Sequence, residues 1–92
     1  MTCVPEYEEL KNTGASGATE TGVFGELECK DYCNDAKQDC VAFDLGTDDS
    51  CWIFDDEEKA SNTGFRRNVR HFTKLDNCGR YRHLCPIILV FK

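Results

Sequence analysis

Cys29-Lys-Asp-Tyr-Cys33-Asn-Asp-Ala-Lys-Gln-Asp-Cys40-Val-Ala-Phe-Asp-Leu-Gly-Thr-Asp-Asp-Ser-Cys51-Trp-Ile-Phe54 is the stretch on which the fold of this chain turns. Its first part continues a helical pattern that starts at Glu26 and runs to Gln38. Cys29, Tyr32, Cys33 and Ala36 recur at i, i+3, i+4 and i+7 and so share one face. Glu26, Glu28 and Asp31 crowd the first turns, where carboxylates suit the positive end of the helix dipole, and Lys37 sits near the other end. Cys40 to Gly46 then alternates. Val41, Phe43 and Leu45 point one way, Ala42 and Asp44 the other. Gly46 to Ser50 is rich in turn residues. Cys51 to Phe54 is apolar on both faces, which predicts a central strand. The two strands form a hairpin, and two cysteines one helical turn apart can pin the helix to two points of whatever it packs against.

The cysteines outside this stretch set the class of protein. Ninety-two residues make one small domain, which buries only about 60–65% of the surface of its unfolded chain. Cys3, Cys29, Cys33, Cys40, Cys51, Cys78 and Cys85 can supplement so small a core as disulfides. Zinc usually calls for Cys-x2-Cys pairs, and none occurs; His71 and His83 are too far apart in sequence for a ligand pair. Oxidised cysteines imply a secreted, extracellular protein. Met1-Thr-Cys3 lacks a basic and apolar leader, so Met1 is expected to be a non-native start with the natural leader missing. No apolar run is long enough to span a membrane, and no Asn-x-Ser/Thr sequon is present.

Working outward, Val4 to Leu10 reads as a short strand that Pro5 confines to an edge. Asn12 to Gly22 is small, polar and Gly-punctuated and reads as a loop. Asp55 to Gly64 reads as a polar excursion. Phe65 to Leu75 returns to strand character, with Val69, His71, Thr73 and Leu75 on one side and Arg70, Phe72 and Lys74 on the other. Residues 79–92 form a basic, then apolar extension ending in Ile87-Ile-Leu-Val-Phe91.

The net charge of −6 conceals an asymmetry. Nearly all the acids precede Phe65. Arg66, Arg67, Arg70, Lys74, Arg80 and Arg82 follow it, against Asp76 alone up to residue 83. Such a run is either a solvated face or a patch for an anionic partner.

The ordered set Cys29-x3-Cys33-x6-Cys40-Val-Ala-Phe-Asp-Leu, Cys51-Trp-Ile-Phe and Val69-Arg-His-Phe-Thr-Lys-Leu before Cys78, with an early Cys3, resembles the PAN/apple domain family. The resemblance covers residues 3–78. It implies a small disulfide-rich α+β fold, with one helix packed on a curved antiparallel sheet and residues 1–92 forming one domain. It also implies the pairings Cys29–Cys51, Cys33–Cys40 and Cys3–Cys78; spacing alone does not select them. Cys85 departs from the six-cysteine pattern. It is a partner for Cys3 in place of Cys78, a free thiol, or an intermolecular bond that makes a homodimer, the last two being preferred.

No catalytic constellation is evident. Ser16, Ser50 and Ser61 lack nucleophile-elbow glycines. The carboxylates at Asp48-Asp49 and Asp55 to Glu58 suit calcium in kind but not in spacing, so no metal and no cofactor is expected. Nucleic acid does not suit an acidic chain without clustered aromatics in its basic stretch. Trp52 is assigned to packing rather than to a ligand platform, and a domain this small is expected to have little volume for a pocket. The PAN/apple resemblance implies a recognition or adhesion module binding an extracellular protein or carbohydrate. Arg66, Arg67, Arg70 and Lys74 are the candidate contacts for a sulfated glycan or an acidic protein face. The alternatives are a matrix or adhesive assembly component using Cys85 and the apolar tail, and a secreted inhibitor or toxin acting through residues 55–65.

Overall fold

The computed structural model describes residues 5–35 and 38–75. In chain order these residues form β1 (Tyr7–Ala15), β2 (Thr19–Phe24), α1 (Glu26–Asn34), β3 (Ala42–Leu45), β4 (Ser50–Phe54), α2 (Glu57–Ser61) and β5 (Thr63–Lys74). The five strands make one antiparallel sheet in the order β1-β5-β3-β4-β2. The protein is therefore a small disulfide-containing α+β fold. Cys3, Cys78, Cys85, the basic residues Arg80 and Arg82 and the apolar run 87–91 lie outside the described residues, as do the expected Cys3–Cys78 bond and the readings of Cys85.

The hairpin is where the alternation put it. β3 pairs with β4 through a connector at residues 46–49, and β4 is flanked on both sides. Phe43, Leu45, Cys51, Ile53 and Phe72 point to one face, where Cys29, Cys33 and Cys40 join them in a core cluster. Phe43 stacks on Phe72 with ring centroids 4.6 Å apart, and Tyr7 meets Phe43 edge-on at 5.2 Å. Ala42 and Phe54 point to the opposite face and pack with Ala15 and Ala60. Val41 precedes β3 and packs with this second cluster, not with Phe43 and Leu45 as strict alternation predicts.

α1 lies on the first face, bolted by Cys29–Cys51 to β4 and by Cys33–Cys40 to the entry of β3. Gly25 opens it at φ 99°, a backbone conformation that suits glycine, and its carbonyl accepts the Cys29 N–H at 2.9 Å. The helix ends at Asn34, short of the predicted Gln38; Tyr7 donates its hydroxyl to Asn34 Oδ1.

Three sequence expectations are corrected. The segment read as a loop from Asn12 carries the end of β1 and most of β2. These are the two edge strands, and edges need no alternating apolar face because little covers them. The polar excursion holds a second helix, α2, capped by Asp56 Oδ1 accepting the Glu58 N–H at 2.9 Å. Thus two helices, one on each face, pack on the sheet. Finally, β5 is interrupted: Lys11 pairs with Arg70 and Thr13 with Phe65, so residues 66–69 bulge opposite Asn12 alone. Asn12 and Asn68 both take positive φ, and the Asn68 N–H donates to Asn12 Oδ1 at 2.9 Å.

Candidate functional site

One row of residues crosses the whole sheet on the α2 side: Leu10 on β1, His71 on β5, Asp44 on β3, Trp52 on β4 and Glu20 on β2 are successive cross-strand partners. The centre of the row is a buried pair. His71 Nδ1 lies 2.5 Å from Asp44 Oδ1, and Asp44 Oδ2 accepts the Ala15 N–H at 3.1 Å. His71 is 1% exposed and Asp44 5%. A buried carboxylate is tolerable only when donors replace its water, and these two do so. His71 also meets Phe54 edge-on at 5.7 Å.

Beside this pair the sheet face opens into a cleft of about 350 Å³, whose lining includes Ser16, Gly17, Asp44, Trp52, Arg66 and Val69. Its walls come from segments 50 residues apart in sequence. The β1–β2 turn supplies Ser16 and Gly17, and the bulge of β5 supplies Arg66 and Val69. Trp52 forms the wall toward β2.

The indole is held in place. Trp52 Nε1 donates to Ser50 Oγ at 3.0 Å, and the Ser50 N–H donates to Asp48 Oδ1 at 3.1 Å. Hydrogen bonding from the Ser50 side chain and N–H holds the Asp48 carboxyl below the usual carboxylate range. Gly46 permits this arrangement, because a Cβ there would fall 2.7 Å from Ser50 Oγ. Arg66 is placed by the same kind of close approach. Its stem crosses Gly14, where a Cβ would lie 2.8 Å from Arg66 Cδ and 3.2 Å from Asp44 Oδ2. Its Nη2 then donates to Ser16 Oγ at 3.0 Å.

The four basic residues singled out from sequence do not form one patch. Arg66 and Arg67 sit in the bulge, exposed, and Arg66 reaches the cleft. Among the described residues neither makes an ion pair. Arg70 and Lys74 lie on the opposite face and hold α1. Arg70 Nη1 contacts Glu26 at 3.0 Å and Glu9 at 3.2 Å, and its guanidinium lies 5.3 Å from the Phe72 ring centroid. Partial burial alone would lower the Arg70 pKa, but the hydrogen bonds to Glu26 and Glu9 outweigh it and hold the guanidinium above its usual range. The Lys30 ammonium, and then Arg70, hold the Glu26 carboxyl below its usual range. Lys74 Nζ donates to the Cys33 carbonyl at 2.6 Å, and burial lowers its pKa. Four residues of strand span about 13 Å, and nine residues of helix about 13 Å. Arg70 at the start of α1 and Lys74 at its end thus match its length. α1 has no basic residue in its last turn, and Lys74 supplies that charge from β5.

The chain matches no protein-family model, no curated protein and no solved structure.

Trp52 packs half-buried on the sheet face and also lines the cleft, which the chain's small size gave no reason to expect. The signal for Trp52 was present in the strand alternation: Cys51 and Ile53 face α1, so Trp52 faces away. Ser16 carried no signal, because only the long-range pairing of β1 with β5 brings it to Arg66. Among the described residues, no group of three or more His, Cys, Asp or Glu side chains is arranged to hold a metal, and no helix is long and apolar enough to cross a membrane.

Proposed function

We propose that this protein is an extracellular recognition module of the PAN/apple type, binding a protein or carbohydrate through the cleft between Trp52 and Arg66. The cleft is the observation that carries the reading. It combines an aromatic wall on β4, a guanidinium with donors to spare from the β5 bulge and the Asp44 carboxylate on β3. Small-ligand sites are typically concave, with a few placed polar groups, and this cleft sits at the low end of their usual size of about 300–1,000 Å³. The Cys29–Cys51 and Cys33–Cys40 bonds are the ones the family resemblance implies, and structural disulfides suit an oxidising compartment.

Binding is favoured over catalysis by the placement of the titratable pair. The His71 ring is sealed between Asp44 and Phe54, so the imidazole is not presented to a bound molecule.

Retention on a heparin column tests the anionic side of the proposal. The protein should bind at low salt and elute as salt rises, and Arg66→Ala with Arg67→Ala should pass through. Arg70→Ala should instead act mainly on stability, because its partners are Glu9 and Glu26. Flow-through of the unaltered protein at low salt, together with no capture on an array of glycans and extracellular proteins, would end this reading.

A further inference from the structure

We infer that the cleft takes one acidic saccharide unit, with the sugar ring stacked against Trp52 and its carboxylate or sulfate on Arg66. This rests on the proposed recognition function and narrows it to a ligand class.

Three groups of different chemistry converge there. Trp52 offers an apolar wall whose orientation is fixed by Ser50. Arg66 offers the remaining N–H donors of a guanidinium engaged by Ser16 Oγ, in a planar array that matches carboxylate or sulfate oxygens. The Asp44 carboxylate contributes to the lining with both oxygens already holding one donor each, and each oxygen can accept a second. A sugar hydroxyl is a neutral donor of the right kind. An anion at the same spot would be repelled, so the ligand's charge belongs at Arg66 and its hydroxyls at Asp44.

The location also argues against an extended peptide. Peptides that pair with sheets use a free edge and its backbone groups. This cleft opens on a sheet face, over β3 and β4, which are flanked on both sides.

The single tryptophan makes the test direct. Trp52 emission and its indole N–H resonance are followed while glucuronate, galactose 6-sulfate, neutral galactose and inorganic sulfate are titrated separately. The acidic sugars should produce a saturable change. Arg66→Ala should weaken them roughly tenfold or more, the size of one lost charge-assisted interaction. Lys11→Ala, which removes a positive charge on β1 outside the cleft, should leave them unchanged. Neutral galactose and sulfate should each bind much more weakly than the two joined in one molecule. Equal binding of neutral galactose would overturn the assignment to Arg66. No change in emission or indole resonance with either acidic sugar, up to roughly 10 mM and so beyond ordinary weak affinity, would overturn the proposal. If that happens while Arg66-dependent capture on the array persists, the recognition function stands and only the sugar assignment falls.

Discussion

Replacing Asp44 with alanine should be among the most damaging single changes in the described fold. Asp44 accepts from His71 Nδ1 and from the Ala15 N–H, and both donors are in buried residues. Truncation strands the two donors together. Each unsatisfied buried group costs about 1–3 kcal/mol, so two stranded together cost about 2–6 kcal/mol, with about 3–5 kcal/mol the middle of that range. A loss of about 3–5 kcal/mol is a large part of the roughly 5–15 kcal/mol that holds a small domain together. At about 4 °C or more per kcal/mol, the melting point should fall by at least ~12 °C. Urea unfolding of the oxidised protein, followed by far-UV circular dichroism and Trp52 emission, measures this. With a slope near 1.5 kcal/mol/M the midpoint should drop by roughly 2–3 M. The double variant Asp44→Ala with His71→Ala should be little worse than Asp44→Ala alone, because the stranded imidazole is gone. A single-variant loss below about 1 kcal/mol, or strict additivity in the double variant, would mean that Asp44 does not hold these two donors as a unit.

Further outcomes follow from the same geometry. Removing Cys29–Cys51 as a pair of alanines should cost about 3 kcal/mol and removing Cys33–Cys40 about 2 kcal/mol, because the first closes the longer loop; the reverse order in chemical denaturation would count against the entropic account. Burial, with the Asp31 charge adding to it, pushes the Tyr7 hydroxyl up from 10.0 to about 12. An unfolded tyrosine loses its proton first, so stability should be intact below pH 10 and fall between pH 10 and 12. Tyr7→Phe should flatten that fall in a pH series of melting curves. Gly14→Ala should displace the Arg66 stem and break its bond to Ser16, lowering heparin retention, and should cost about 1–3 kcal/mol of stability because the same Cβ crowds Asp44 Oδ2 and Val69; unchanged retention would show that Arg66 does not depend on this approach.

The parts of the fold legible in the sequence are those with a strong local period. The helix face at Cys29 and Cys33, the alternation at Phe43, Asp44 and Leu45, and the opposed sides of Arg70 and His71 all survive into the structure. What was missed depends on distant pairing. Thr19 to Phe24 has no apolar period, and it becomes a strand because β4 offers backbone partners. The short helix at Glu57 buries only Ala60 and is anchored by a capping aspartate more than by a hydrophobic stripe. The basic run admits either a solvated face or a patch, because charge can be counted along a chain. The faces to which those charges go cannot be so counted once a bulge intervenes. Residues 66–69 shift the strand, so Arg66 reaches the cleft while Arg70 and Lys74 brace α1 on the other side.

The proposed recognition lies on the α2 side, in the cleft bounded by Trp52 and Arg66. Backbone amide and indole N–H resonances of the isotope-labelled protein, recorded as a heparin-derived oligosaccharide is added, locate it. Shifts should concentrate at Ser16, Gly17, Asp44, Trp52 and Arg66, with Arg70, Lys74 and α1 left unmoved. Shifts concentrated instead at Arg70, Lys74 and α1 would contradict it.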